Sequence, residues 1–449
     1  MRGVAPAGVL CAVRGPAEQD VVRALCGHPR ELHVSRRCAD LAELLAAADA
    51  GHGSVAVVSA DLPGLDREAV RHLHGSGAWV VLLADLAGPA GAHALGADAL
   101  LDGGDLGDPL VATVRGLLDR AADGARPGGR PPGAGAQAPS RLEAVLGGPG
   151  AAPTPSRPGR VVAVWGPTGA PGRTTVALGV ADALTRVAAA ENASVLLVDA
   201  DTYGGTVAQQ IGLLDEAPGL AAATRTAATG RLDAVTLAAL TPRLDSGLRV
   251  LTGLSRAERW PEVTASGLTE IWRAARELAT WTVVDCGFCV EQDEALSYDT
   301  RAPRRNGATL SALEEADLVL VVGAGDPIGL QRLVHALGQL DALGVATAHR
   351  RVVVNRLRAS ASGSRPEVAV RAALERYAGV REVSVLPDDR ATCDGAVLAA
   401  RTLYEQDPTA ALTRALVELA GTVLAAVPPA PADGDARGAL AGALVAGAH

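Results

Sequence analysis

Between residues 160 and 387, short apolar runs follow one another at regular intervals. Seven of them, each five to eight residues long and mostly rich in valine, alternate with helical patterns: VVAVW, SVLLVDAD, LRVLTG, WTVVDCG, LVLVVGAG, RVVVN and REVSVLP. Runs that are apolar along their length are typical of parallel strands buried under helices on both faces of a sheet. The pattern therefore predicts a doubly wound α/β domain over residues 160–426, closed by a helix near Thr409–Ala426.

The first 121 residues repeat this alternation on a smaller scale. The runs VLCAV, SVAVVS and WVVLLA, with helical patterns near Gln19–Cys26 and Arg67–His74, predict a parallel α/β sheet over residues 1–121. Residues 122–159 are dense in proline and glycine and are interpreted as a linker. Residues 427–449, rich in alanine and glycine, are predicted to be a disordered tail.

Composition and charge narrow the class of protein. Apolar residues make up 48% of the 449-residue chain, which is enough for a sizeable core. The net charge of −9 argues against a broad nucleic-acid-binding surface. No stretch reaches about 18 uncharged apolar residues, so no membrane-spanning helix is expected. The six scattered cysteines are typical of reduced thiols in a cytoplasm, and the absence of lysine is typical of high-GC genomes such as those of actinobacteria.

A glycine-rich turn joins the first strand of the larger domain to its first helix. After Val161–Trp165 the sequence reads G-P-T-G-A-P-G-R-T-T over Gly166–Thr175 and then continues as a helical pattern. Such a turn presents backbone N–H groups to an anion, and the helix dipole adds to the field. The phosphate-loop pattern G-x-x-x-x-G-K-[ST] is not met at Pro167 and Arg173.

Four polar residues follow other strands of the same domain. Asp199 and Asp201 end SVLLVDAD, Asp285 ends TWTVVD, and Asn355 ends RVVVN. Ligands of open α/β sheets bind at the carboxyl ends of the strands, so these side chains are expected at one edge. Carboxylates beside a polyphosphate need a cation, which predicts Mg²⁺.

With the glycine-rich turn followed by these four polar strand ends in this order, the sequence resembles the MinD/ParA class of P-loop ATPases. T-G-A-P-G-R-T resembles the deviant Walker A motif of that class, D-A-D its second acidic motif, T-V-V-D its Walker B motif, and V-V-V-N-R with V-L-P-D-D its adenine-side loops. The N-terminal receiver-like domain and the linker narrow the resemblance to the CpaE/TadZ group of pilus-assembly localisation proteins. Within that group the sequence is most similar to the actinobacterial septum-site-determining (Ssd) proteins.

The resemblance implies ATP and Mg²⁺ as cofactors and assigns a role to each motif residue. The phosphates would lie on Gly169, Ala170, Pro171, Gly172, Arg173, Thr174 and Thr175. Mg²⁺ would be held by Thr174 directly and by Asp199 and Asp285 through waters. Asp201 would orient the attacking water, with Arg173 as the second catalytic residue. Asn355 would contact adenine, and Pro387 with Asp388 would flank the base.

Two departures from the class pattern bear on its chemistry. The signature lysine of the class, which reaches the nucleotide of the dimer partner, is replaced by Thr168, and the second lysine by Arg173. Arginine is a planar fork rather than a compact ammonium, so ATP binding is expected with slow or absent hydrolysis. Arg304 and Arg305, which follow the Walker B strand, either replace the missing cation or form a solvated face.

The smaller domain resembles a response-regulator receiver without its chemistry. In V-A-V-V-S-A-D-L-P, the phosphoacceptor position four residues before Pro63 is Ser59. VLCAVRG offers no acidic pair after the first strand, and the position of the usual lysine falls near Gly103. We therefore expect a docking or dimerising fold that is not phosphorylated.

The resemblance implies a cytoplasmic, nucleotide-dependent homodimer that positions a septum site or a pilus or secretion machine. Recruitment to a pole or septum, and to the membrane, would then go through protein partners. Three alternatives stay open: a ParA-type DNA-partitioning ATPase, an inactive scaffold, and an iron–sulfur carrier. The carrier would use Cys286 and Cys289, which form C-G-F-C directly after Asp285.

Overall fold

The chain divides into two compact units, Met1–Ala151 with Arg225–Leu232, and Ala152–Thr224 with Asp233–His449. The computed structural model describes residues 6–15, 17–84, 95–102, 106–128, 158–169, 171–187, 193–213, 218–292 and 304–427. Most of the predicted linker, and the predicted tail from residue 428 onward, lie outside the described residues.

The first unit contains a five-stranded parallel sheet. Its strands are β1 (Ala7–Ala12), β2 (Leu32–Arg37), β3 (Val55–Ser59), β4 (Trp79–Ala84) and β5 (Ala99–Asp102), and its described helices are Ala17–Cys26, Leu41–Asp49, Arg67–Gly75 and Asp108–Ala122. The spatial order β2-β1-β3-β4-β5 is the order of flavodoxin-like and receiver-like folds. The predicted receiver-like α/β sheet is confirmed.

Residues of the central strands alternate between two apolar layers. Leu10 and Val58 belong to a core with helices Leu41–Asp49 and Arg67–Gly75. Cys11 and Val57 belong to a second core, on the opposite face, with helices Ala17–Cys26 and Asp108–Ala122. The outer strands β2 and β5 are not visible in the hydrophobic pattern, because edge strands bury fewer side chains than central ones.

The end of β3 carries a hydroxyl where a receiver carries its phosphoacceptor carboxylate. Ser59 is 7% exposed, and its Oγ accepts a hydrogen bond from the backbone N–H of Arg14 at 2.9 Å. Arg14 follows β1, where the acidic pair of a receiver would be, and its guanidinium lies 3.4 Å from Asp61. A cation therefore stands where a phosphorylatable receiver would bind Mg²⁺.

Incubation with acetyl phosphate and Mg²⁺ is expected to leave the first unit unmodified. Ser59 offers no carboxylate nucleophile, Asp61 faces Arg14, and Asp66 caps a helix by accepting the N–H of Ala69 at 2.8 Å. Mass spectrometry checks this, with a phosphorylatable response regulator as positive control. An acyl phosphate on Asp61 or Asp66 would show that the alignment with the receiver pattern is wrong.

The second unit contains a seven-stranded parallel sheet. Its strands are β6 (Arg160–Trp165), β7 (Val195–Ala200), β8 (Arg249–Leu251), β9 (Trp281–Cys286), β10 (Leu318–Ala324), β11 (Arg350–Leu357) and β12 (Val383–Pro387), in the order β12-β11-β10-β6-β9-β7-β8. All seven predicted strands are present. After β6, the chain builds one side of the sheet through β9 and the other side from β10 onward, so β6 lies at the topological switch point, where such sheets bind ligands.

Helices cover both faces of this sheet. From residue 173 onward the described α-helices are Arg173–Val187, Val207–Gln210, Gly219–Ala228, Ala234–Ala239, Ala265–Leu278, Gly307–Glu315, Pro327–Ala342, Ala359–Ser362, Pro366–Ala378, Arg390–Leu398, Leu403–Gln406 and Ala411–Ala426, with 3₁₀ turns at Ala257–Glu262 and Thr347–His349. Val164 and Val283 pack under Arg173–Val187 and Ala411–Ala426. Helices Ala265–Leu278 and Gly307–Glu315 contact β9. The predicted doubly wound fold class is confirmed, and its closing helix begins at Ala411.

Strand register brings the polar strand ends to one edge. Asp285 of β9 lies opposite both Val164 of β6 and Asp199 of β7. Paired residues of parallel neighbours point to the same face, here the face covered by helix Arg173–Val187.

Among the described residues, no helix combines the length and apolar character that crossing a membrane requires.

Candidate functional site

The turn after β6 has a backbone that two of its glycines make possible. Gly169 and Gly172 have φ angles of +103° and +92°, in the region that other residues rarely adopt. A Cβ at Gly172 would collide with the side-chain amide of Asn355. The turn leads directly into helix Arg173–Val187, as predicted, so the N–H groups at the helix start have no helical partner. Ala170, predicted to contact phosphate, lies outside the described residues.

Arg173 folds back onto the turn instead of projecting from it. Its Nε donates to the carbonyl of Cys286 at 3.1 Å, and its Nη1 donates to the carbonyls of Pro167 at 3.1 Å and Gly166 at 3.3 Å. Its Nη2 lies 3.7 Å from the Asp201 carboxylate, and the side chain is 12% exposed. The guanidinium thus links the glycine-rich turn to β9, and its catalytic role stays a prediction.

Asp285 is a fully buried carboxylate next to the hydroxyl of Thr174. Neither of its oxygens accepts a hydrogen bond from the described residues. Burial raises the pKa of Asp285 well above its ordinary value and the neighbouring Asp199 raises it further, while the adjacent Thr174 hydroxyl and Arg173 act in the opposite direction. A buried carboxylate of this kind is expected to be protonated or to face a cation.

Asp199 has more partners than Asp285. Its carboxylate accepts the backbone N–H groups of Asp201 and Val207, both at 3.2 Å. Burial raises its pKa to about 7, and these two hydrogen bonds limit the rise. Asp199 therefore organises the turn after β7 and also lies opposite Asp285 of β9.

These residues fit a magnesium ion that keeps most of its waters. Thr174 and Asp285 are adjacent, and Asp199 lies on the next strand at the same register. Within the described part of the chain, no three His, Cys, Asp or Glu side chains form a complete metal cage. Mg²⁺ characteristically takes one or two carboxylates together with substrate phosphates and waters, so the sparse donor set suits it.

Asp201 caps the turn that follows β7. Its Oδ1 accepts the backbone N–H of Tyr203 at 2.9 Å and of Gly204 at 3.4 Å, and its Oδ2 faces Arg173. The residue is 9% exposed. It lies at the predicted edge, close to the loop, and its role toward water stays a prediction.

The residues predicted for adenine line one cavity of about 300 Å³ at the same edge of the sheet. Its lining includes Thr175, Asn355, Pro387 and Asp388, together with Arg356, which ends the motif V-V-V-N-R but was assigned no role of its own from the sequence. Arg356 has a φ of +57° at a register shift in β11, which only the coordinates reveal.

The side-chain amide of Asn355 also contacts the glycine-rich turn after β6. Its Nδ2 donates to the carbonyl of Pro171 at 2.8 Å, and the side chain is buried. Asn355 therefore connects the end of β11 to the loop, and contact with adenine stays a prediction.

Arg304 and Arg305 have different surroundings. Arg305 lies over the ring of Tyr203, 4.0 Å from its centroid, and its backbone carbonyl accepts the hydroxyl of Thr202 at 2.8 Å. Arg304 is exposed. Tyr203 also stacks on Phe288 with centroids 4.8 Å apart, so an aromatic contact that the sequence analysis missed joins the turn after β7 to the segment after β9.

The two cysteines of C-G-F-C differ in access. Cys286 is fully buried, and burial raises its thiol pKa well above the ordinary value. Cys289 is partly exposed and lies near the Tyr203 hydroxyl, where it contributes, after burial, to a raised pKa of that tyrosine. A cluster that binds both thiols needs access to both, and Cys286 is fully buried, so this geometry does not favour an iron–sulfur carrier.

Solved structures that resemble this chain include ParA and MinD ATPases. A ParA family ATPase from Chlorobium tepidum aligns with 58% of this chain and 98% of its own length, at 18% identity and a TM-score of 0.49. The cell division ATPase MinD of Pyrococcus furiosus aligns with 60% of this chain and all of its own, at 19% identity and a TM-score of 0.47. The septum site-determining protein MinD of Pyrococcus horikoshii, complexed with Mg-ADP, aligns with 59% and 95%, at 18% identity and a TM-score of 0.46.

No protein-family model matches the sequence, and no curated protein matches it. The similar structures belong to the class that the motifs predicted. With identities below 20% and TM-scores below 0.5, the assignment of function depends on the geometry of the site.

Proposed function

We propose that this chain is an ATP-binding switch protein of the MinD/ParA class, close to the CpaE/TadZ group and the septum-site-determining proteins. The observation that carries this proposal is Asp285, a fully buried carboxylate that accepts no hydrogen bond of regular geometry from the described residues and lies beside the Thr174 hydroxyl at the start of the phosphate-loop helix. A carboxyl group buried in this way is either protonated or paired with a cation, and a phosphate-bound Mg²⁺ would supply that cation.

The nucleotide would lie across the carboxyl edge of the sheet. Its base would enter the cavity lined by Thr175, Asn355, Pro387 and Asp388. Its phosphates would accept hydrogen bonds from the N–H groups between Gly172 and Thr175. Thr174 and Asp285, with Asp199 behind them, would hold Mg²⁺, which neutralises charge on the phosphate oxygens.

Slow or absent hydrolysis follows from how the two predicted catalytic residues are used. Arg173 donates hydrogen bonds to three backbone carbonyls, and Asp201 accepts hydrogen bonds from two backbone N–H groups. To act on phosphate or water, either side chain would first have to leave these partners. A protein that holds ATP for long periods suits a switch better than a rapid enzyme.

The proposed biological role is positional. ATP-driven dimerisation would let this cytoplasmic protein position a septum, pilus or secretion machine. The protein itself would be recruited to a pole or septum, and would contact the membrane only through its protein partners. The receiver-like unit, with Ser59 at the acceptor position, would serve as a docking or dimerising element.

Light scattering with and without Mg-ATP tests this proposal. We expect Mg-ATP to convert monomer into dimer, and the double variant Arg304→Ala with Arg305→Ala to remain monomeric while still binding nucleotide. Arg381 is an exposed arginine before β12, at the amino ends of the strands. Arg381→Ala is the control for loss of a surface arginine away from this site, and it is expected to dimerise. Equal masses in all samples would contradict the switch, and a dimer without nucleotide would assign dimerisation to another element.

A further inference from the structure

A second arginine, Arg332, lies on the phosphate loop. It belongs to helix Pro327–Ala342, which follows β10, the strand beside β6. A Cβ built on Gly169 would collide with its Nη1 and would lie 3.2 Å from its Cζ. The guanidinium therefore occupies the space that the missing side chain of Gly169 leaves open.

The fold fixes where this guanidinium can reach. Asp326 caps the helix by accepting the N–H groups of Ile328 at 3.2 Å and Gly329 at 3.0 Å. A Cβ on Gly329 would lie 2.5 Å from the carbonyl of Ala324, so the first turn packs directly on the end of β10. Leu333, fully buried, anchors the next turn. Arg332 lies between these two anchored positions, so the helix holds it beside the loop.

The charge of Arg332 has no partner in the described part of the chain. The side chain is exposed, and it forms no hydrogen bond or ion pair with the described residues. Arg173, the other arginine at the loop, is directed at backbone carbonyls and at Asp201. Position 168 is a neutral threonine. Of the two arginines at the loop, Arg332 is therefore the one whose N–H donors are free of partners among the described residues and can bind a ligand.

We propose that Arg332 binds the phosphate chain of the nucleotide from within the same subunit. It takes the role of a phosphate-facing cation that Thr168 lacks and that Arg173 does not fill. An arginine can donate two parallel hydrogen bonds to phosphate oxygens. Because Gly169 has no side chain, the Arg332 guanidinium can lie close enough to the loop to do so. This inference rests on the proposed nucleotide-binding function and adds a residue to the same site.

Calorimetry of the full chain with Mg-ATP, Mg-ADP and AMP tests the inference. Arg332→Ala is expected to weaken Mg-ATP binding by roughly 10- to 100-fold, since hydrogen bonds to charged groups are among the strongest in proteins. Arg332→Lys should recover much of this loss because it restores the charge. Arg381→Ala also removes one arginine charge, but before β12, at the amino ends of the strands, and this variant should bind Mg-ATP like the wild type. AMP binding should change little, because AMP lacks the outer phosphates.

The outcomes separate this inference from the proposed function. If the wild type binds Mg-ATP and Arg332→Ala binds it equally well, the role of Arg332 is wrong and the proposed function stands. An equal loss of Mg-ATP and AMP binding would also contradict the role, because it would indicate a general disturbance of the site. If the wild type binds no nucleotide, the proposed function itself fails. Thermal melting without nucleotide should change little in Arg332→Ala, since the side chain is exposed and forms no hydrogen bond or ion pair with the described residues.

Discussion

Replacement of Gly172 by valine is expected to abolish Mg-ATP binding. A β-branched residue at a φ of +92° is strained, and its Cβ would displace the Asn355 amide from the carbonyl of Pro171. The N–H groups that follow position 172 would then lose their alignment. Loss of two or more charge-assisted hydrogen bonds, each worth about 1.5–3 kcal/mol, corresponds to at least about a 100-fold weaker affinity.

Gly344→Val is the matched control for this variant. Gly344 has a φ of +75°, so valine there is similarly strained, but no atom lies within 4 Å of the added Cβ. Gly344 precedes β11 and thus lies toward the amino ends of the strands. Both variants should lose similar thermal stability, and only Gly172→Val should lose nucleotide. Wild-type affinity in a folded Gly172→Val protein would mean that phosphates do not lie on this loop.

Arg173→Ala is expected to destabilise the second unit by about 2–4 kcal/mol and to weaken nucleotide binding strongly. The variant leaves the carbonyls of Cys286, Pro167 and Gly166 without their donor and removes the cation beside Asp201. Denaturant unfolding without nucleotide measures the first effect, with the exposed Arg414→Ala as control.

Arg173→Lys separates the loop-holding role from a phosphate-binding role. An ammonium group cannot reproduce the two directions in which the guanidinium donates, so the lysine variant should remain destabilised without nucleotide. If Arg173→Lys is as stable as the wild type and binds ATP equally well, the interactions with the carbonyls are incidental.

The fold could be predicted largely because parallel strands are buried on both sides. The seven apolar runs of the second unit, most of them rich in valine, are typical of strands in a sheet covered by helices on both faces, and all seven are strands of one sheet. The same reasoning does not reveal β2 of the first unit, since LHVSRR buries only Leu32 fully. An edge strand is specified by its neighbour more than by its own sequence.

The site could be predicted only in part. Asp199 and Asp285 meet because both end parallel strands in register, which follows from the sheet. The direction of a long side chain such as arginine cannot be derived from strand register. Arg173 reaches a carbonyl 113 residues away in the sequence. The contact of Arg332 with Gly169 has no sequence signal, because an arginine on a helix usually faces solvent.

Titration calorimetry of the full chain with ATP, in Mg²⁺ and then in EDTA, tests the central claim most directly. We predict saturable binding of one nucleotide per chain in Mg²⁺, weaker binding in EDTA because Asp285 loses its cation, and no binding by Gly172→Val. The absence of Mg-ATP and Mg-ADP binding up to millimolar concentrations in the folded wild-type protein would contradict the account.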